Sequence, residues 1–235
     1  MQNQDKSVCI PRDLQLQAAM FRLGNIEEEI RSGYEILRKY HKTVTIFGSA
    51  RTSPDNPHYL AAKDLAERLA DNGYAIVSGG GHGIMGAANE GANIAVQKGA
   101  EKAGGESIAF NIRLPHEQEL NEYATGSFEF QHFAPRKIVM TMYADAYVYF
   151  PGGFGTLDEL AEILTLIQTG KAAPAPIILF GSQFWNKLDS FFRNNMLAQE
   201  GTISEEDVSL YTITDSVDEM VDVIKSNQTY CGHDA

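Results

Sequence analysis

Cysteine is almost missing from this 235-residue chain. Cys9 and Cys231, one near each end, form neither a disulfide framework nor a metal-ligand spacing. Such usage suits a reducing, cytoplasmic setting. Long apolar runs are missing too, so no segment is expected to span a membrane. The start, MQNQDKSVCIPRD, lacks the apolar block of a secretory signal. Basic charge is scarce: 19 Lys and Arg stand against 31 Asp and Glu, a formal net charge of −12. A nucleic-acid binder needs a basic footprint, and none is visible. A small anionic ligand can still bind where local donors outweigh the distant field.

What is present is an ordinary globular mixture, 43% hydrophobic and 21% charged, enough to bury a core. In residues 13–40, Leu14, Leu16, Phe21, Leu23, Ile26, Ile30, Tyr34 and Leu37 recur at helical intervals. Gly24 and Gly33 mark where that helix can divide. From Thr43 on, short β-branched and aromatic runs alternate with helical patterns. TVTIFG (43–48), YAIVS (74–78), ESIAFNI (106–112), SFEFQHF (127–133), DAYVYF (145–150), PIILF (176–180) and SLYTIT (209–214) read as strands. Helices are expected over 57–72, with Leu60, Leu65, Ala66 and Leu69 on one side, and over 84–98, 136–143, 156–169, 184–198 and 216–226. Strand–helix alternation of this length predicts βαβ units, hence a mostly parallel sheet covered on both faces. The expected division is a helical extension (1–42), one α/β domain (43–226) and a flexible tail (227–235).

Three glycine-containing loops each follow a predicted strand: Gly48-Ser49-Ala50-Arg51, Gly79-Gly80-Gly81-His82-Gly83, and Pro151-Gly152-Gly153-Phe154-Gly155-Thr156. In an open α/β sheet ligands bind at the carboxyl ends of the strands, so all three should gather on one edge. Glycines there let backbone N–H groups approach an anion, and the next helix presents its positive end. A single loop of this kind is no more than a tight turn; three together point to a nucleotide or phosphate site. No Gly-Lys-Ser/Thr follows the glycines, which excludes a P-loop, and YAIVS ends in serine where a dinucleotide fold needs an acid.

Asp158, Glu159 and Glu162 follow the third loop. Acids in a helix's first turn complement its dipole. Glu159 and Glu162, three residues apart, also share a helical face and can point toward a bound sugar. Arg136-Lys137 precedes the strand that feeds the third loop; the pair is either solvated or set to hold a phosphate or base. His82, His116 and His132 are not spaced as a metal set, and Ser49 has no evident His/Asp partner.

Ser78-Gly79-Gly80-Gly81-His82-Gly83-Ile84-Met85-Gly86, Arg136-Lys137 with Met140, and Pro151-Gly152-Gly153-Phe154-Gly155-Thr156-Leu157-Asp158-Glu159 together resemble the LOG (Lonely Guy) family, often labelled "lysine decarboxylase". The family's patterns run GGGxxGLMG, RKxxM and PGGxGTxxE in this order, Ile84 here replacing the common leucine, and the resemblance covers about residues 43–226. It implies a Rossmann-like three-layer sandwich and a homodimer with shared sites that acts as a 5′-monophosphate phosphoribohydrolase. Such an enzyme releases the base from cytokinin riboside 5′-monophosphates or AMP and leaves ribose 5-phosphate. Carried over by position, Arg136 and Glu159 form the catalytic pair. Gly152, Gly153, Gly155 and Thr156 would hold the phosphate, and Gly80, Gly81, Met85 and Gly86 would line the nucleotide. Ser49, Lys137, Glu162 and Arg51 are further candidates for substrate contact. Neither a metal nor a redox cofactor is implied. No Ser-x-His-Lys is present to anchor pyridoxal phosphate, so the decarboxylase label has no support in the residues.

Two departures stand out. Phe133-Ala134-Pro135 occupy the place where short plant-type members carry Met-His, and the first forty residues exceed the short form. The alternative function is a non-catalytic carrier or sensor of a phosphorylated ligand such as molybdenum cofactor or a nucleotide. A carrier need not keep both Arg136 and Glu159, and this chain has both. The expected role of the N-terminal helix is to cap the edge of the sheet, ahead of a dimer or regulatory contact.

Overall fold

The computed structural model describes residues 10–114 and 119–227. Cys9, His116, Cys231 and most of the expected tail lie outside them. Seven strands form one sheet: β1 (Thr43–Phe47), β2 (Ala75–Ser78), β3 (Glu106–Ile112), β4 (Gly126–Phe130), β5 (Ala146–Tyr149), β6 (Ile177–Phe180) and β7 (Tyr211–Thr214). Their order is β4-β3-β2-β1-β5-β6-β7, and every neighbouring pair is parallel. The expected "mostly parallel" sheet is parallel throughout. β1, β2, β5 and β6 are buried at every residue, as their unbroken apolar runs require of strands covered on both faces. β4, at the edge, alternates between half-buried and exposed positions and ends at the buried Phe130.

The helices are α1 (Arg12–Phe21), α2 (Leu23–Leu37), α3 (Pro57–Asp71), α4 (Ile84–Gln97), α5 (Phe133–Thr141), α6 (Phe154–Gln168), α7 (Ser182–Phe191) and α8 (Val217–Ser226). α7 continues as a π-helical segment, Phe192–Gln199. One core joins α3, α4 and α8 to the sheet through Leu65, Leu69, Ile84, Ala88, Met220 and Ile224. The other packs α5, α6, α7 and part of α2 against Phe110, Phe130, Tyr147 and Leu179. Leu60, expected among the buried residues of α3, is 54% exposed. α3 and α4 touch at Gly91, where a Cβ would run into the backbone of Lys63.

The N-terminal helix does divide, but at Arg22 rather than at either glycine. Gly33 has a different reason to be glycine: a Cβ there would stand 2.7 Å from both Val139 methyl groups. α2 therefore lies closely on α5 and β4, while no residue of α1 is buried.

The chain runs from β1 out to β4 on one side, then returns to place β5 on the other side of β1. The strand order thus reverses between β1 and β5. A crevice at the carboxyl end of the sheet is expected there, between the loops that follow those strands.

Candidate active site

A cavity of about 790 Å³ opens at that reversal. The loop after β1 supplies Gly48, Ser49, Ala50, Arg51 and Thr52, and the loop after β5 supplies Pro151, Gly152 and Gly153. The two are tied together by a hydrogen bond from Ser49 N to Pro151 O, 3.1 Å. Phe154, Gly155, Thr156, Asp158 and Glu159 of α6 form the floor, and Arg136 of α5 faces them. Phe47, Met85, Ile112, Leu114 and Phe133 give one side an apolar character.

Local packing explains the loop sequences. Gly152 sits on the side chain of Thr156, leaving no room for a Cβ, whereas Gly153 and Gly155 face open space. Gly79 passes under Arg136 and Met85, and a Cβ there would strike the guanidinium. Gly83 has φ +62° and abuts the backbone of Ser49 and Ala50; the next residue, Ile84, donates its N–H to Ser49 O at 3.0 Å. The first two loops are therefore locked to each other.

Beneath the second loop lies a buried polar network. Asn89 accepts from Ser78 Oγ at 2.6 Å and from Asn121 Nδ2 at 2.8 Å, and it donates to Ser107 Oγ and Ile108 O. Asn121 also bonds Gly80 O and Gly81 O. Gly80 and Gly81 are held by these contacts, and neither they nor Gly86 line the cavity. Met85 and Gly79 do.

Arg136 is the fourth residue of α5, since that helix begins at Phe133 and not at 136. Its Nε donates to Phe110 O at 2.8 Å and its Nη2 to Gly79 O at 3.3 Å. Burial lowers its pKa and the charge of Glu159 raises it, yet a guanidinium keeps its proton in proteins. Lys137 points elsewhere: its Nζ reaches Asp158 Oδ2 at 2.8 Å and Glu162 Oε2 at 3.2 Å. Burial opposes that ammonium, but Asp158, Glu159 and Glu162 together raise its pKa. Neither Lys137 nor Glu162 lines the cavity.

Glu159 is only 8% exposed. Its Oε2 is buried with no hydrogen-bond partner among the described residues. Burial pushes its carboxyl up to about 7, against the pull of Lys137 and Arg136 and with the help of Glu162 and Asp158. Tyr149, stacked on Phe47 with 4.9 Å between ring centroids, donates its hydroxyl to Glu159 O and fixes that part of α6. α6 begins at Phe154, two residues before its expected start, so the acids fall beyond the first turn. Complementing the helix dipole is therefore a poor account of Glu159.

Sequence reasoning missed His58 and Asn56 on the cavity wall. Asn56 had a readable signal: it precedes Pro57 and caps α3 by accepting from His58 N. It also missed Glu29, which binds the turn before α5. Among the described residues no group of three or more His, Cys, Asp or Glu side chains stands close enough to hold a metal.

Comparison with known proteins bears on the family and the fold. The family model described as "Possible lysine decarboxylase" matches residues 94–224, more than half of the chain. A rice (Oryza sativa subsp. japonica) protein named "Probable cytokinin riboside 5'-monophosphate phosphoribohydrolase LOG4" is 27% identical over 200 residues, 84% of this chain and 83% of its own. Cytokinin riboside 5'-monophosphate phosphoribohydrolase LOG5 of Arabidopsis thaliana is 29% identical over 138 residues, 58% of this chain and 57% of its own. Among solved structures, the molybdenum cofactor carrier protein of Chlamydomonas reinhardtii matches with TM-score 0.54 and 20% identity, over 80% of this chain and 99% of that one. Fold, motif order and family match agree, and the chain belongs to the LOG family.

Proposed function

We propose that this chain hydrolyses the N-glycosidic bond of a nucleoside 5′-monophosphate, AMP or a cytokinin riboside 5′-monophosphate, giving free base and ribose 5-phosphate. The observation that carries the reading is Glu159: a buried carboxylate oxygen without a partner, in a cavity shared with Arg136, on a group pushed up to about 7. Structural carboxylates are paired; an unpaired one at neutral pKa is suited to a proton or to developing positive charge.

Water adds to C1′, the C1′–N bond breaks with its electron pair leaving on the base, and the proton lost by water is taken up by the base. The transition state resembles an oxocarbenium ion. Ionised Glu159 stabilises the charge at C1′ and holds the attacking water or the ribose hydroxyls. Arg136 orients the nucleotide or assists the departing base. Gly152, Gly153, Gly155 and Thr156 cradle the phosphate at the positive end of α6, where Gly153 and Gly155 leave the approach open. Ser49 and Met85 contact the nucleotide. Lys137 and Glu162 act through the charge of Glu159, and Gly80, Gly81 and Gly86 through the shape of the loop. The scheme uses no metal or redox cofactor.

A homodimer with shared sites and a cytoplasmic setting are part of this proposal. Phe154, 92% exposed, and Phe133 form an apolar rim on the cavity that a second copy would cover. The alternative, a carrier of a phosphorylated pterin or nucleotide, draws on the solved carrier with this fold. It leaves the unpaired Glu159 unexplained, since a carrier breaks no bond and has no use for a carboxylate raised to about 7. The test is a panel of nucleoside 5′-monophosphates beside the matching nucleosides, followed by chromatography of the bases. Release from monophosphates alone supports the hydrolase; intact but tightly bound ligand supports the carrier.

A further inference from the structure

Glu29 is a buried carboxylate that the proposed chemistry does not use. It lies in the middle of α2, in the N-terminal extension, and is 7% exposed. Its Oε2 accepts from the backbone N–H groups of Gln131 (3.1 Å) and His132 (3.2 Å), and its Oε1 lies 2.8 Å from His132 Nδ1. Gln131 and His132 form the turn between β4 and α5, and His132 is the N-cap residue of α5, whose own side chain provides no cap. The backbone N–H groups at and just before the N-cap of α5 are thus held by a carboxylate more than one hundred residues away in sequence. Negative charge is favoured at that end of a helix, and bonds to a carboxylate are the stronger kind.

The helix entered through this turn carries Arg136, one turn beyond His132. The guanidinium is fixed at its far end to Phe110 O and Gly79 O, at the carboxyl ends of β3 and β2. Its near end is fixed only as well as the helix start is. Gly33, one turn after Glu29 in α2, adds a second clamp by closing on Val139 of α5. α2 therefore holds α5 at its start and in its last turn.

We propose that Glu29 is a positioning residue: by holding the β4–α5 turn it sets the pose of the Arg136 guanidinium in the cavity, which makes the N-terminal extension a working part of the site. This rests on the phosphoribohydrolase reading for its kinetic consequence but not for its structural one.

The test uses the full chain with Glu29→Gln, and Glu28→Gln at the exposed neighbouring position as control. The first readout is the Nε–H resonance of Arg136, expected to be protected from solvent exchange in the parent and in the Glu28 variant. In Glu29→Gln it should exchange at least several-fold faster while the melting profile stays cooperative. The second is a double-mutant cycle on AMP cleavage. Glu29→Gln should lower kcat/KM about tenfold, the scale of one bond to a charged group, and the same change on an Arg136→Lys background should lower it far less. An unchanged Arg136 resonance, or equal losses in both backgrounds, overturns the proposal. If the parent releases no base, the functional reading fails and the resonance alone decides the role of Glu29.

Discussion

Arg136 does not close on Glu159. Its Nε and Nη2 are given to the carbonyls of Phe110 and Gly79, while Glu159 Oε2 stays buried and unpaired with the guanidinium charge nearby. A fold seeking stability alone would join these groups. Holding them apart leaves an unpaired carboxylate oxygen and a buried cation on the cavity between the loops after β1 and β5.

The first prediction concerns pH. With ionised Glu159 as the working form, kcat/KM for AMP should rise with pH through about 7 and level off above it. A profile that falls across the same range would assign the protonated carboxyl to the rate-limiting step instead.

Glu159 also bears on stability. Its folded pKa, about 7, lies above its ordinary value of 4.5, so the folded chain holds this proton more tightly than the unfolded one. Stability from this group is lost as pH rises through that interval, and the penalty is complete above 7. Glu159→Gln should therefore stabilise the chain at pH 8 by up to about 3 kcal/mol, and by little at pH 4.5. Denaturant titrations at the two pH values check both the size and the direction.

The glycines of the third loop separate packing from binding. Gly152→Ala forces a methyl group into Thr156 and should cost about 1–3 kcal/mol in stability as well as activity. Gly153→Ala and Gly155→Ala meet open space, so their melting temperatures should stay within a few degrees of the parent's. If these two glycines admit the phosphate, the same variants should raise KM for AMP several-fold. Unchanged KM in both would remove them from the phosphate cradle.

Asn89 supports the second loop from within. Asn89→Ala leaves Ser78, Ser107 and Asn121 short of buried partners and should cost about 2–4 kcal/mol by denaturant unfolding. Faster amide exchange at Gly80, whose N–H donates to Ser78 Oγ, is the local sign to look for.

All seven strands were readable because each is a short apolar or alternating run closed by a glycine, proline or polar turn. The three loops converge as the strand–loop–helix order predicts, although only Gly79 of the Gly79–Gly83 loop reaches the cavity. Helix starts were less legible: α5 and α6 begin earlier than the pattern suggested, which moves Arg136 and Glu159 inward along their helices. Leu60 is misleading because an exposed leucine inside a helical stripe looks like a buried one. Glu29 did leave a trace. It interrupts the stripe Ile26, Ile30, Gly33, Leu37 with an acid on the same side of α2. What it holds belongs to another part of the chain, and spacing cannot show that. The apolar wall of Phe47, Ile112, Leu114 and Phe133 comes from three separate segments and was hidden for the same reason.

The measurement that bears most directly on the central claim is the yield of adenine and ribose 5-phosphate from AMP by the parent chain and by Glu159→Gln. The account predicts equal amounts of the two products from the parent, none from adenosine, and a fall of at least about a hundredfold in the variant. Intact AMP after prolonged incubation with folded parent protein, or undiminished cleavage by Glu159→Gln, would contradict it.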